Sequence, residues 1–374
     1  MKMRAAVLRE MGLPKPYSQS KPLSIEEVEL HPPQAGEVLV KIHAAGLCHS
    51  DLSVLEGNRP RPMPMVLGHE AAGEVIEVGA GVQDIRPGQK VVCAFVPSCG
   101  HCAPCREGRP ALCEPGAVAN GAGELLTGGR RLYAGKNVLH HHLGVSAFAE
   151  YAVLSQHSIV PVETELPFSQ LALFGCAVMT GVGAVIHTAR LPVGASVAVV
   201  GLGGVGLSAL MGARLAGARQ MIAIDTQPAK LALASELGAT HTYDARLDNL
   251  VELVREETGG GLEFVFETAG VVTALVNAYQ ITRRGGTTVT TGLPHPHHMF
   301  SIPQVSIAAE ERTIKGSYVG SCIPSRDIPR FIQLCEQGLL PVQKLLSKTM
   351  PLEDINQGFD ELAGGEASRL VVVM

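Results

Sequence analysis

The sequence has no run of about eighteen uncharged apolar residues, the length a membrane-spanning helix needs. It also has no basic excess and no Lys/Arg run. At a net charge of −5 it has little with which to neutralise phosphates, so a nucleic-acid binder is not expected. Charged residues make up only 17% of the chain, while 46% are hydrophobic, a balance that excludes a disordered polymer. The opening "MKMRAAVLRE" is charged within its first residues and lacks an apolar core, so no secretory leader and a cytoplasmic location are expected. Internal repeats and low-complexity tracts are also missing. What remains is a 374-residue globular chain, long enough for two domains.

Two textures follow one another along it. The first 175 or so residues are rich in Pro and Gly and carry short β-type runs, among them "EVLVKIHAAG" (37–46), "AAGEVIEVGAG" (71–81) and "QKVVCAF" (89–95). From about residue 195, apolar strands alternate with helical patterns: "ASVAVV", "VGLSALMGARLAG", "QMIAID", "PAKLALASELG", "DNLVELVREETGG", "LEFVFETAG" and "GGTTVTTG". That alternation predicts a doubly wound parallel sheet. Two amphipathic helices, "SRDIPRFIQLCEQG" and "LEDINQGFDELAGG", and a last strand, "RLVVVM", then return to the first part. The expected class is α/β: a mainly β domain over 1–178, a doubly wound α/β domain over 179–320, and a return to the first domain over 321–374.

"GLGGVG" fits G-x-G-x-x-G through Gly201, Gly203 and Gly206, with Gly204 and Val205 between. Among 42 glycines such a match is weak by itself. Here it follows a strand and opens a helix, where a pyrophosphate can approach the helix N-terminus. Asp225 ends the next strand, placed to bind ribose hydroxyls and to repel a 2′-phosphate, which favours NAD over NADP. Lys230 lies one turn further on. The bland alternative is a glycine-rich corner with an unrelated aspartate.

Nine cysteines in a long chain with no sign of secretion suggest metal ligation rather than disulfides. Cys99, Cys102, Cys105 and Cys113 share the loop 99–113 at C-x2-C-x2-C-x7-C spacing, suited to a closed tetrahedral zinc site. Redox disulfides and an iron–sulfur centre are the alternatives. A catalytic metal needs three separated ligands and an open position, for which Cys48, His69 and Cys176 are candidates beside small residues. Spacing does not choose this set, and a lone cysteine in an apolar segment is more often a core residue. Cys93, Cys322 and Cys335 are read that way. His140, His141 and His142 are consecutive and point in different directions, so they are not expected to share a metal. "HPHH" (295–298) reads as a surface loop with no assigned role.

Taken in order, "AAGLCHSD", "GHEAAGEV", the four-cysteine loop, "GCAVMTG", "GLGGVG" with Asp225, and "SRLVVV" resemble the zinc-dependent medium-chain alcohol dehydrogenases over essentially the whole chain. The stretch "GRRLYAGKNVLHHHLGVSAFAEYAVL" resembles the long-loop branch, with the animal, plant and aryl (benzyl) enzymes. The resemblance implies a GroES-like catalytic domain interrupted by a Rossmann domain, two Zn2+ per chain, and NAD. It implies that Cys48, His69 and Cys176 bind the catalytic zinc, with Glu70 near the metal and Asp51 orienting the imidazole. Cys99, Cys102, Cys105 and Cys113 would bind the structural zinc. His49 and Arg369 would meet the pyrophosphate, and Ser50 would accept the alcohol proton.

Phe95, His142, Leu293 and Tyr318 would line the substrate pocket, favouring a primary alcohol or aldehyde with an alkyl or aryl tail. A homodimer or homotetramer is implied too. Ser53 departs from the pattern, standing where several relatives end the proton relay with a histidine. Ser50 in place of threonine, with no evident basic anchor, weakens a glutathione-dependent formaldehyde dehydrogenase. A zinc- and nucleotide-binding scaffold without catalysis is the rival from another class.

Overall fold

The computed structural model describes residues 1–374. Its contacts divide the chain into two units: Met1–Cys176 with Cys322–Glu336 and Val342–Met374, and Ala177–Ser321 with Gln337–Pro341.

The first unit is mainly β. Strands Lys2–Leu8, Leu23–Leu30, Leu132–Ala134, Asn137–His141 and Met65–Val66 close a small barrel. A second sheet runs Ile159–Val162, Lys90–Cys93, Glu70–Val78, Glu37–Gly46, Arg369–Val373 and Leu346–Pro351, with Tyr151–Ser155 also paired to Glu37–Gly46. Small and β-branched residues let these strands bury both faces. Val38, Val40, Ile42, Val75, Val91 and Val372 meet in one core with Phe148 and Phe359.

Register within this sheet sets the functional corner. Strand Glu37–Gly46 runs antiparallel to Glu70–Val78, with Gly46 opposite Glu70. Cys48, two residues past one strand, and His69, one residue before the other, therefore leave the same end of the ladder. Arg369–Val373 pairs on the opposite edge with Val371 facing Gly46, and Leu47 N–H donates to the Leu370 carbonyl at 2.8 Å. That brings Arg369 to the same corner. The strand expected over "QKVVCAF" stops at Cys93. Beyond it, Phe95 N–H donates instead to the Gly175 carbonyl at 3.2 Å.

The second unit holds six parallel strands in the order His241–Asp244, Gln220–Asp225, Ser196–Val200, Leu262–Glu267, Thr282–Thr290 and Thr313–Gly316. Counted within the unit this is 3-2-1-4-5-6, the doubly wound order whose crevice opens at the carboxyl ends of the central strands. Ser196–Val200 is buried throughout, as its uninterrupted apolar run requires. No single helix is long and apolar enough to cross a membrane.

Candidate active site

The segment "CHSD" begins a helix, His49–Leu55, with Cys48 as its extended N-cap. This geometry sorts four adjacent polar residues. Cys48 and Asp51 are buried, Ser50 is partly buried and His49 is exposed. Cys176 arrives from far along the chain through a close packing contact. A Cβ on Gly175 would stand 2.0 Å from the Cys93 carbonyl oxygen, so only glycine lets this backbone lie against the strand end. The result is a cluster in which the ligand atoms of Cys48, His69, Glu70 and Cys176 all lie within 4.8 Å of one another.

Cys48 Sγ and Cys176 Sγ are 4.0 Å apart and not disulfide-bonded. Two thiolates at about 2.3 Å from one tetrahedral zinc would be separated by nearly that much. The contact with Cys176 pulls the Cys48 thiol far down, against burial and with help from His69 and Arg369. The same contact, together with burial, pushes Cys176 up. Burial disfavours a charged His69, but Asp51 and Cys48 outweigh it and raise the imidazole to about 10. Its Nδ1 lies 3.2 Å from Asp51 Oδ1, while Nε2 is buried with no partner. A buried orphan nitrogen beside two thiols is the donor set of an open zinc site, and the residues fit the metal.

Glu70 is fully buried, and burial raises its carboxyl to about 7 against the pull of Arg369. Arg369 Nε lies 3.3 Å from Glu70 Oε1, and this anionic corner raises the guanidinium further above its already high value despite burial.

Asp51 does more than face His69. Its Oδ1 also accepts from Gly68 N–H at 3.0 Å and lies 3.1 Å from His142 Nδ1. His142, expected on the pocket wall, is 2% exposed with its polar edge turned to this carboxylate. Burial lowers its pKa, against the pull of Asp51. Its neighbours face elsewhere: His140 Nδ1 lies near the Ala122 carbonyl, and His141 Nε2 accepts from Arg131 N–H. Phe95 packs edge-on against the His69 ring, centroids 4.8 Å apart. Leu293, in the second unit, is exposed and Tyr318 is partly buried. The Ser53 hydroxyl donates to the His49 carbonyl at 2.8 Å, back-bonded inside its own helix.

The four-cysteine loop brings the sulfurs of Cys99, Cys102, Cys105 and Cys113 within 4.8 Å of one another, none in a disulfide. Backbone N–H groups of Cys99 and Gly116 point at Cys113 Sγ at 3.1 and 3.3 Å, and Cys102 N–H points at Cys99 Sγ at 3.3 Å. Such bonds stabilise thiolates and fit a closed tetrahedral site.

In the second unit, each glycine of the fingerprint has its own reason. Gly201 turns the chain at φ +91°, a left-handed value. A Cβ on Gly206 would stand 1.8 Å from the Gly201 carbonyl oxygen, so the third glycine lets the helix Gly204–Leu215 pack on the strand end. A Cβ on Gly203 would meet nothing within 4 Å, which leaves the helix N-terminus open to a phosphate. Asp225 is anchored by Leu202 N–H at 2.6 Å and Gln227 N–H at 2.9 Å, and Lys230 is buried nearby in sequence.

Sequence patterns alone do not single out Glu267. Buried at the end of its strand, it accepts from Gly270 N–H and from Thr290 Oγ1, both at 2.6 Å. It ties together the loops leaving two central strands. The one local signal is a carboxylate closing the apolar run "LEFVFE".

Residues 34–164 match the family described as the alcohol dehydrogenase GroES-like domain, and residues 204–337 match the zinc-binding dehydrogenase family. An NDMA-dependent alcohol dehydrogenase of Amycolatopsis methanolica is 38% identical, covering 100% of this chain and 99% of its own. The crystal structure of an alcohol dehydrogenase zinc-binding domain protein from Burkholderia ambifaria superposes with a TM-score of 0.93 at 36% identity, over 100% of this chain and 99% of that one. Benzyl alcohol dehydrogenase from Acinetobacter calcoaceticus does so with a TM-score of 0.93 at 30% identity, with the same coverage. The buried Cys48–His69–Cys176 cluster and the glycine fingerprint thus stand in a GroES-like domain and a Rossmann domain, and the chain belongs to the zinc-dependent medium-chain alcohol dehydrogenases, oxidoreductases that use zinc and a nucleotide cofactor.

Proposed function

We propose that this chain oxidises a primary alcohol with an alkyl or aryl tail to the aldehyde, reversibly, with NAD and two zinc ions per chain. The observation that carries the reading is the unpartnered, buried Nε2 of His69 beside the paired thiols of Cys48 and Cys176. Bound there, zinc supplies the Lewis acidity that lets an alcohol lose its proton near neutral pH and polarises the aldehyde in reverse.

The chain's own residues do the rest. Asp51 holds the His69 proton at Nδ1, so that Nε2 would be the nitrogen that gives up its proton to a bound metal. Ser50, partly buried two residues past Cys48, takes the alcohol proton. Phe95 gives the site an apolar wall next to His69. Asp225 supports NAD over NADP, because its carboxylate would repel a 2′-phosphate. A loop site of four thiolates, Cys99, Cys102, Cys105 and Cys113, would hold the second zinc structurally. A small homo-oligomer in the cytoplasm completes the reading.

A second reading concerns the electron acceptor, since the Amycolatopsis methanolica relative is named for dependence on NDMA. Metal analysis and an alcohol panel test both. Two zincs per chain and NADH formation from benzyl alcohol or hexanol are expected. Turnover with NDMA and none with added NAD would replace the acceptor. One zinc and no turnover with either would leave a binding scaffold.

A further inference from the structure

We infer that His142 is a positioning residue for the catalytic zinc site: it holds the Asp51 carboxylate that in turn holds His69. The inference rests on the proposed zinc-binding role of Cys48, His69 and Cys176.

The local fold fixes this contact. After the strand Asn137–His141 the chain makes a tight turn in which the His142 carbonyl accepts from Val145 N–H at 3.0 Å and Ser146 N–H at 3.3 Å. Its own N–H donates to Ser146 Oγ at 3.0 Å. Leu143 and Ser146 sit at φ +54° and +59°, left-handed values that non-glycine residues adopt only where their surroundings hold them. The turn is then bonded to the residues leading into His69: Ala147 N–H donates to the Gly68 carbonyl at 2.9 Å, and Phe148 N–H to the Leu67 carbonyl at 3.0 Å. His142 is thereby locked beside His69, ring centroids 5.8 Å apart, with Nδ1 3.1 Å from Asp51 Oδ1.

Asp51 is wholly buried, and a lone carboxylate there would be costly. Its Oδ1 accepts from Gly68 N–H and lies within reach of two imidazole nitrogens, His69 Nδ1 at 3.2 Å and His142 Nδ1 at 3.1 Å, the latter close but out of hydrogen-bond alignment. Both imidazoles and the Gly68 N–H converge on one oxygen, Oδ1, and a carboxylate crowded there by fixed groups has little rotational freedom, so the His69 ring and its Nε2 are aimed. Asp51, His69 and His142 also lie close enough together to resemble a second metal site. His69 would then have to ligate through both nitrogens and give up its ring proton, whereas a proton on each facing Nδ1 needs no ion and a small turn of the His142 ring would align it on Asp51. The shared groups are therefore a hydrogen-bonded relay of orientation, with no second ion.

The test is retention of zinc. Wild type, His142→Phe and His142→Asn are loaded with zinc and exposed to a chromogenic chelator, and release of each ion is followed. Phenylalanine keeps the ring volume and loses both nitrogens; asparagine keeps an N–H near the place of Nδ1. H142F is expected to lose the Cys48–His69–Cys176 zinc up to about 10-fold faster, the low end of the range for removing a ligand's own hydrogen-bond partner, because Asp51 itself stays. H142N should stay near wild type, and the four-thiolate zinc should leave all three proteins at the same rate. Equal retention by H142F and wild type would overturn the role. So would equally fast loss from H142N and H142F, which would show packing rather than a hydrogen bond. Parallel loss of the four-thiolate zinc would mean general unfolding, and a third zinc per chain would mean a metal where protons are proposed; either overturns it. A wild type without the first zinc would instead remove the underlying functional reading along with the inference.

Discussion

Replacing Gly203 by alanine should separate folding from nucleotide binding. The added methyl would meet no atom within 4 Å, and the residue sits at φ −71°, ψ −174°, an extended conformation open to any L-residue. Gly203 is the N-cap of the helix, where alanine is poorer than glycine by roughly 0.5–1 kcal/mol. Stiffening the unfolded chain returns about 0.4–1 kcal/mol. These nearly cancel, so Tm should move by no more than about 3 °C in a domain of this size. A phosphate approaching the open N-terminus would meet the methyl and lose at least one charge-assisted N–H bond, about 1.5–3 kcal/mol, or roughly 10- to 100-fold in Kd. Gly206→Ala makes the opposite case. Its methyl would stand 1.8 Å from the Gly201 carbonyl oxygen, so overpacking of about 1–3 kcal/mol should lower Tm outright. Thermal denaturation of the ligand-free proteins and NADH fluorescence titration read the two effects. Wild-type NADH affinity in Gly203→Ala would refute the assignment of this surface to the pyrophosphate.

Other residues can be probed in the same spirit. Asp225→Gly should raise kcat/KM with NADP relative to NAD; an unchanged ratio would show that the carboxylate serves only the Leu202 and Gln227 N–H groups it anchors. Ser53→Ala should leave the pH–rate profile in place, because its hydroxyl is already donated to the His49 carbonyl; a displaced profile would put Ser53 in the proton path. Asp360 accepts from Tyr17 N–H at 2.6 Å and Ser18 N–H at 2.8 Å, and although burial opposes ionisation, these bonds hold its carboxyl below the usual range. A depressed folded pKa adds stability that is present above the unfolded pKa, near 4, and is lost as pH falls through the folded value. Asp360→Asn should accordingly lower Tm at pH 7, with the gap to wild type closing in acid; a gap independent of pH would refute the linkage.

Local chemistry makes much of this protein legible from its residues alone. The strand–"GLGGVG"–helix unit and the four-cysteine loop are contiguous, so turn geometry and ligand spacing are written within a few residues. The strand "ASVAVV" and the amphipathic helices likewise declare themselves by period. The stretch "CHSD" is harder, since four adjacent polar residues read equally as a turn. Only the helix beginning at His49 shows which of them face inward.

Residues far apart in sequence meet for reasons that no local pattern contains. Cys48, His69, Glu70 and Arg369 share a corner because Gly46 lies opposite both Glu70 and Val371, and a slip of one residue in either ladder would turn them away. Cys176 joins them because Gly175 can touch the Cys93 carbonyl. Resemblance puts His142 among pocket residues, yet its neighbour is set by a turn bonded to Gly68 and Leu67. The sequence by itself determined the two kinds of domain, the dinucleotide fingerprint and the thiol cluster, whose physics acts over a few residues. Tertiary structure alone decided which nitrogen of His69 is left without a partner and which groups lie against Asp51, because strand register and backbone packing set those distances.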